Sequence, residues 1–333
     1  MKEKILVTGG AGFIGSHIIE DLLKEGYRVA VYDNFSSGRR ENLSAVIDDI
    51  ELIEADILDY ETLKKSAKGC DIISHQAAQL EIFKCLDDPI ADLEVNTIGT
   101  LNVFKAAVAN EVKKVINASS ACVYGQANYI PQDEEHPKNP NWPYGVSKLA
   151  AEKYAAIYHQ RHNIDIFDLR YAIIYGEREW LGRVLTMFLI RALQGKAPVV
   201  FGKGEQLRDF TYVKDVVKLN NLLLKDNIKG HRVYNVSTGI GTSISELAKI
   251  VIQVAGLDCQ PIFEEVAEGK ASRFMPERKR IPSELDKMVL SYKKAKKDLD
   301  WSPKLSLREG IKREYEWIKK NQKFWRIEGE IKV

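Results

Sequence analysis

The chain has 333 residues, 45% hydrophobic and 29% charged, with Lys+Arg 49 against Asp+Glu 47 for a net charge of +2. Those proportions suit a soluble globular protein of one large domain or two smaller ones. The near-balance of charge gives no reason to expect nucleic acid or an anionic membrane as a partner, and no run of about 18 apolar residues is present to span a bilayer.

The opening, MKEKILVTGG, enters a strand pattern at once. It leaves no room for a secretory leader, so a cytoplasmic protein is expected. Short apolar runs at 4–8, 28–33, 50–55, 70–75, 113–119 and 164–170 predict buried strands. Between them, 13–25, 60–68, 90–109 and 144–162 predict helices. In the first of these, Phe13, Ile14, His17, Ile18, Leu22 and Leu23 share one face. This alternation predicts a parallel sheet covered on both sides. Beyond Tyr171 the rhythm changes: 183–194 and 214–225 predict helices and 231–236 a strand. Ser243 to Glu246 and Ser306 to Glu309 carry the S-x-x-E spacing of a capping box, each opening a helix. The charged stretch 266–283, with Pro276 and Pro282, predicts a long irregular loop of the kind that often carries function.

Cys70, Cys85, Cys122 and Cys259 show no C-x-x-C spacing and predict reduced, buried thiols. His17, His75, His136, His159, His162 and His231 have no metal-ligand spacing and read as packing or surface residues, so no metal is expected.

Gly9, Gly12 and Gly15 follow the first strand and open the first helix. Glycines in that context let backbone N–H groups approach a pyrophosphate at the positive end of a helix. Asp33 ends the second strand, where a carboxylate can accept both hydroxyls of an adenosine ribose. A 2′-phosphate would meet that charge, so NAD is expected over NADP, although Arg39 and Arg40 lie near. Asp56 and Ile57 follow the third strand; Asp56 serves either the adenine or a turn.

The stretch WPYGVSK places Tyr144 and Lys148 one helical turn apart on a common face, with Pro143 at the start of the helix. A free phenol, with a pKa near about 10, is a poor base at neutral pH. A nearby ammonium would favour the phenolate, which could then take a proton from a sugar hydroxyl and return it. ASSACVYG follows a strand at the carboxyl edge of the expected sheet, so Ser120 or Ser119 can hydrogen-bond the reacting oxygen.

These motifs, with YDNFSSGRRENL, HQAAQ, VNTIGTLNVFKAA, GEQLRDFTYVKDVV, YNVSTGIGTSISELA and DLDWSPKLSLREGI, run almost end to end. The chain resembles the extended short-chain dehydrogenase/reductases. Within them it is similar to the NAD-dependent nucleotide-sugar epimerase/dehydratase group that includes the UDP-galactose 4-epimerases. The resemblance implies an α/β fold, with a Rossmann-type doubly wound parallel sheet of seven strands binding NAD (1–170 and about 212–236). It also implies a smaller C-terminal α/β domain (171–211 and 237–333) holding a nucleotide sugar. By position, Phe13 and Ile14 would approach the pyrophosphate, and Asp33, Asn34 and Ser37 the adenosine ribose. Asp56 and Ile57 would meet the adenine, and Ala77, Gln79 and Asn96 would lie along the cofactor. Gly38 and Tyr171 belong to the same cofactor set. Lys148 would also bind the nicotinamide ribose, Tyr144 would be the acid/base, and Ser120 would sit beside the sugar O4. A homodimer through 90–109 and 144–162 is implied as well.

The resemblance also sharpens the reaction. Dehydratases of the group carry an Asp-Glu pair where this chain has Ala121 and Cys122, and decarboxylases carry a glutamate there, so epimerisation is expected. Ile173 stands where the family has an asparagine that donates to the substrate pyrophosphate, and Glu177 where it has a proline. Arg208 matches the family's diphosphate arginine, unless it pairs with Asp209 or Asp215. Arg280, with Arg278 close behind, is expected as the second, and Phe201 borders the base. Arg183 has no assignable partner and is expected to reach a substrate anion such as a uronate carboxylate. The leading expectation is a UDP-hexose or UDP-hexuronate 4-epimerase. The alternatives are a reductase that releases its cofactor each turn and a non-catalytic NAD-binding protein.

Overall fold

A computed structural model describes residues 2–179 and 182–322. The predicted apolar runs become β1 (Lys4–Thr8), β2 (Arg28–Asp33), β3 (Ile50–Glu54), β4 (Ile72–His75), β5 (Lys114–Ser120) and β6 (Asp165–Tyr171). Four short strands follow: β7 (Ile173–Tyr175), β8 (Val199–Phe201), β9 (Leu207–Arg208) and β10 (Phe210–Tyr212). Then β11 (His231–Val236) returns beside β6. The order β3-β2-β1-β4-β5-β6-β11 forms one seven-stranded sheet, parallel throughout. The chain runs outward from β1 in one direction and restarts from β4 in the other. The crevice at the carboxyl ends of those two strands is therefore the topological switch point, where such sheets bind ligands.

Alternation along β1 feeds two cores. Ile5 and Val7 pack with Ile18 and Leu22 of α1 (Phe13–Lys24). Leu6 faces the other layer, with Leu63 of α2 (Tyr60–Ser66). Two short helices, α3 (Ile82–Asp87) and α4 (Pro89–Leu93), precede α5 (Thr100–Ala109), which adds Val103 and Phe104 to that second layer. Ala155 of α6 (Pro143–His162) closes it. The first core continues into α7 (Val184–Leu193), α8 (Val213–Lys225) and α9 (Ile244–Ala255) through Leu185, Val216 and Leu247. Trp301, lying between α10 (Lys293–Leu299) and α11 (Leu307–Lys320), belongs to it as well. Each such buried side chain contributes about 1.5–3 kcal/mol.

A buried polar clamp fixes α6 on the sheet. Arg170 of β6 donates from Nε and Nη2 to the two oxygens of Glu152 at 2.9 and 2.6 Å. Ser119 of β5 adds a bond to Glu152 at 2.6 Å. Removing one partner of such a pair costs about 3–5 kcal/mol, because the other charge is left buried and unpaired.

Several local expectations change. Residues 90–109 are not one helix: Asp88 caps α4, Pro89 occupies its first turn, and a π-helical turn over Glu94–Gly99 leads into α5. The stretch 266–283 is irregular but stitched to itself by bridges pairing Glu268 with Arg280 and Ala271 with Lys279. All four thiols are free, yet only Cys70 and Cys85 are buried; Cys122 and Cys259 are half-buried. Both serine caps form: Ser243 accepts from the Glu246 N–H and Ser306 from the Glu309 N–H.

Candidate active site

At the switch point Gly9 has a positive φ of 66°. A Cβ there would lie 2.5 Å from the Ala77 backbone nitrogen. A Cβ on Gly15 would lie 2.3 Å from the Gly9 carbonyl oxygen. The β1 turn, the start of α1 and the segment after β4 are thus pressed together as only glycine permits. Helix α1 begins with no side-chain cap. Its first-turn N–H groups, those of Phe13 and Ile14, are left facing the crevice without intrahelical partners. An uncapped positive helix end over a glycine cradle fits a pyrophosphate.

Asp33 is 7% exposed, and burial raises its carboxyl above the ordinary range. Its oxygens accept from the N–H groups of Ala11 and Phe35 at 2.9 and 2.8 Å, which pull the other way. Two carboxylate oxygens offer about four acceptor sites, so capacity remains for ribose hydroxyls. Gly38 lies against the same carboxylate. Arg40 is engaged by Glu54 and stacks over Phe35. Asn34 donates to Asp56 at 2.7 Å, while Asp56 also accepts from the Leu58 N–H, so Asp56 does serve a turn. Ile57 is buried beside Gly99, and Ser37 is exposed at the rim. Gln79 and Asn96 are joined by paired bonds of 3.1 and 2.9 Å. Tyr171 closes the floor, its hydroxyl donating to Gln76 at 3.2 Å. Glycine cradle, free helix end, ribose-facing carboxylate and amide strap together fit NAD.

Helix α6 starts at Pro143, so Tyr144 and Lys148 lie on its first turns, over the end of β5. Lys148 is 2% exposed, and its Nζ donates to the Ala118 carbonyl at 2.9 Å. Burial lowers its pKa to about 8, against the opposing pull of Asp92, Asp168 and Glu152. Burial and the neighbouring Cys122 push the Tyr144 phenol up, with a smaller push from Asp92; the Ser120 hydroxyl and the Arg183 guanidinium hold it down. Ser120 caps the turn after β5, accepting from the Cys122 N–H at 3.1 Å. Ser119 is committed to Glu152, which leaves Ser120 as the serine at the phenol.

On the far side, Arg208 of β9 pairs with neither Asp209 nor Asp215. Its Nη2 reaches Glu284 at 3.2 Å. Arg280 reaches the other Glu284 oxygen at 3.8 Å, so one carboxylate joins the two arginines. Arg278 instead donates to the Gly182 carbonyl at 2.6 Å and lies 5.8 Å from the Phe201 ring. Arg183 sits within electrostatic reach of Tyr144, Cys122 and Glu179. Ile173 is engaged in β7, bonded through its N–H to the Asp209 carbonyl at 2.9 Å. Sequence reasoning missed Glu284 and the buried Asp92; the one signal for Asp92 is its place a helical turn before Asn96. Among the described residues no group of three or more His, Cys, Asp or Glu could hold a metal ion, and no helix is long and apolar enough to cross a membrane.

The model of the NAD dependent epimerase/dehydratase family matches residues 5–237. The UDP-glucose 4-epimerase of Mycolicibacterium smegmatis is 33% identical over 323 residues, covering 95% of this chain and 98% of that one. The UDP-glucose 4-epimerase of Thermotoga maritima, solved with UDP-glucose, superposes with a TM-score of 0.87 at 34% identity, covering 96% and 99% of the two chains. The dTDP-glucose 4,6-dehydratase of Streptomyces venezuelae, solved with NAD, superposes with a TM-score of 0.88 at 26% identity, covering 97% and 99%. Decarboxylases are also among the relatives.

Proposed function

The chain belongs to the NAD-dependent epimerase/dehydratase family, and from that premise we propose that it is a nucleotide-sugar 4-epimerase acting on a UDP-hexose such as UDP-glucose or UDP-galactose. The observation that carries this reading is the set of groups around the phenol. The charge of the buried Asp92 reaches Tyr144. Both Asp92 oxygens are engaged, by Ser147, Asn96 and Gln79. Ala121 and Cys122 supply no acid. Elimination of water needs a second acid/base pair; inversion at C4 needs one proton carrier.

NAD, when bound, supplies the hydride acceptor for the sugar C4. Tyr144 takes the O4 proton and later returns it, and the Ser120 hydroxyl donates to the same oxygen. The open end of α1 and the Asp33 carboxylate orient the dinucleotide. Arg208 and Arg280 receive the diphosphate, with Phe201 bordering the base. Supporting a homodimer are exposed apolar side chains on the α4 to α6 side: Ile90 at 69%, Ile98 at 45%, Val146 at 52% and Ile157 at 46%.

One observation favours a second reading, a UDP-glucuronate 4-epimerase. The charge of Arg183 reaches Tyr144 and Cys122, and a carboxylate at the sugar's C6 would answer it. The test is a panel of UDP-sugars incubated with the purified protein, without added cofactor. C4 inversion in the parent, lost by about 10²–10⁴-fold in Tyr144→Phe, supports the reading. Undiminished turnover in Tyr144→Phe rejects it. Arg183→Ala should lose UDP-glucuronate more than UDP-glucose if the second reading holds, and both equally if it does not.

A further inference from the structure

Asp92 is a charged side chain at the centre of the site with no part in the reaction as drawn. It is 1% exposed, at the end of α4. Its Oδ2 accepts from the Ser147 hydroxyl at 2.7 Å. Its Oδ1 accepts from Asn96 Nδ2 at 2.9 Å and Gln79 Nε2 at 3.3 Å. Ser147 lies between Tyr144 and Lys148 in the chain, and its hydroxyl oxygen is also 3.0 Å from the Tyr144 carbonyl. Asn96 and Gln79 are the strap residues of the cofactor crevice.

The backbone is bent to make this meeting. The π-helical turn Glu94–Gly99 breaks the helix between Asp92 and α5, and single π-helical turns inside helices occur frequently at functional sites. Thr97 in that turn donates to the Ser147 carbonyl at 3.0 Å, a second tie to the same residue of α6. A buried carboxylate costs stability unless it is fully bonded, and this one has three donors.

We propose that Asp92 is a positioning residue that locks the strap formed by Gln79 and Asn96 to the first turns of α6 and serves as a counter-charge for Lys148. This rests on the reading of Tyr144 as the acid/base. Its charge acts on both members of the pair. It raises the pKa of Lys148, as do Asp168 from β6 and Glu152 from α6 itself, and it raises that of Tyr144 and of Cys85 on α3. His75 on β4 also faces the ammonium. Neutralising Asp92 while keeping its shape therefore moves both groups in one direction, towards losing their protons at lower pH.

The experiment compares the parent with Asp92→Asn, Asp92→Glu and Tyr144→Phe as NAD-loaded proteins. The Tyr144 phenolate is titrated by absorbance as the difference between each protein and the matching Tyr144→Phe form, and the pH profile of C4 inversion is recorded with the UDP-sugar that the parent turns over. Asp92→Asn should bring the phenolate midpoint and both limbs of the profile down by about one pH unit. Asp92→Glu should restore the parental midpoints at a reduced rate. An Asp92→Asn protein that loses only rate or melting temperature, with midpoints unmoved, overturns the proposal and leaves Asp92 a structural residue. Inversion that survives Tyr144→Phe overturns the acid/base reading itself, a separately recognisable result. The phenolate titration needs no substrate, so it decides even where turnover is too weak to follow.

Discussion

The two sides of the crevice are made from different materials. On the side of β1, β4 and α1, shape comes from backbone: a positive-φ glycine, a second glycine with no room for a Cβ, and bare N–H groups at a helix start. On the side of β9 and the 266–286 segment, it comes from the ends of long side chains. Arg208 and Arg280 share Glu284, while Arg278 is held by the Gly182 carbonyl and the Phe201 ring. Backbone geometry cannot be adjusted without moving the sheet, whereas arginine heads can be re-aimed. The first side suits a rigidly held dinucleotide, and the second a ligand gripped by side chains that can close on it.

The sharpest way to break this contrast is at Gly15. Gly15→Ala places a methyl group 2.3 Å from a backbone oxygen that cannot yield cheaply. The expected outcome is a protein that purifies without NAD or does not fold, read by absorbance of the released cofactor and by circular dichroism. Retention of NAD at the parental level would show that the backbone side is softer than drawn. Arg208→Ala should do less. Loss of a charge-assisted bond of about 1.5–3 kcal/mol raises KM by about 10–100-fold with kcat little changed, and steady-state kinetics would check the split.

A third, smaller effect lies at the seam between the two sides. Glu179 is buried against Glu314 of α11, near Glu177, Arg183, Tyr175 and Tyr212. Burial pushes Glu179 up to about 8 and raises Glu314 as well. A carboxyl raised above its unfolded value of about 4.3 stabilises the fold fully below that pH, and the contribution is lost as pH rises through the folded value. The parent should therefore lose melting temperature between about pH 5 and pH 8. Glu314→Gln should flatten that decline and gain about 2–4 °C at pH 8 for each kcal/mol recovered. Parallel melting curves for the two proteins across that range would remove the dyad from the account.

The same contrast explains what could be read from the sequence. Long apolar runs and S-x-x-E caps announced the seven strands of the main sheet and the starts of α9 and α11, because each carries its own period or its own bond. The strands β8, β9, β12 (Thr242–Ser243), β13 (Ile262–Glu264) and β14 (Lys287–Met288) have two or three residues each, too few to show alternation. The i, i+4 spacing of Tyr144 and Lys148 fixed their common face. It could not say that the ammonium would turn to the Ala118 carbonyl, since the tip of a four-carbon stem is placed by tertiary neighbours. Glu284 joined to Arg208, and Asp92 to Ser147, are products of chain closure over dozens of residues, and no local pattern encodes them; the Arg280 to Glu284 contact is local, four residues apart.

The central claim is that one phenol carries the O4 proton while the hydrogen on C4 leaves and returns inside the closed site. UDP-glucose bearing deuterium at C4, converted by the NAD-loaded enzyme in ordinary water and followed by NMR, tests it most directly. The account predicts UDP-galactose with the deuterium still on C4. Label lost to water, or found in NADH released to solution, would contradict it.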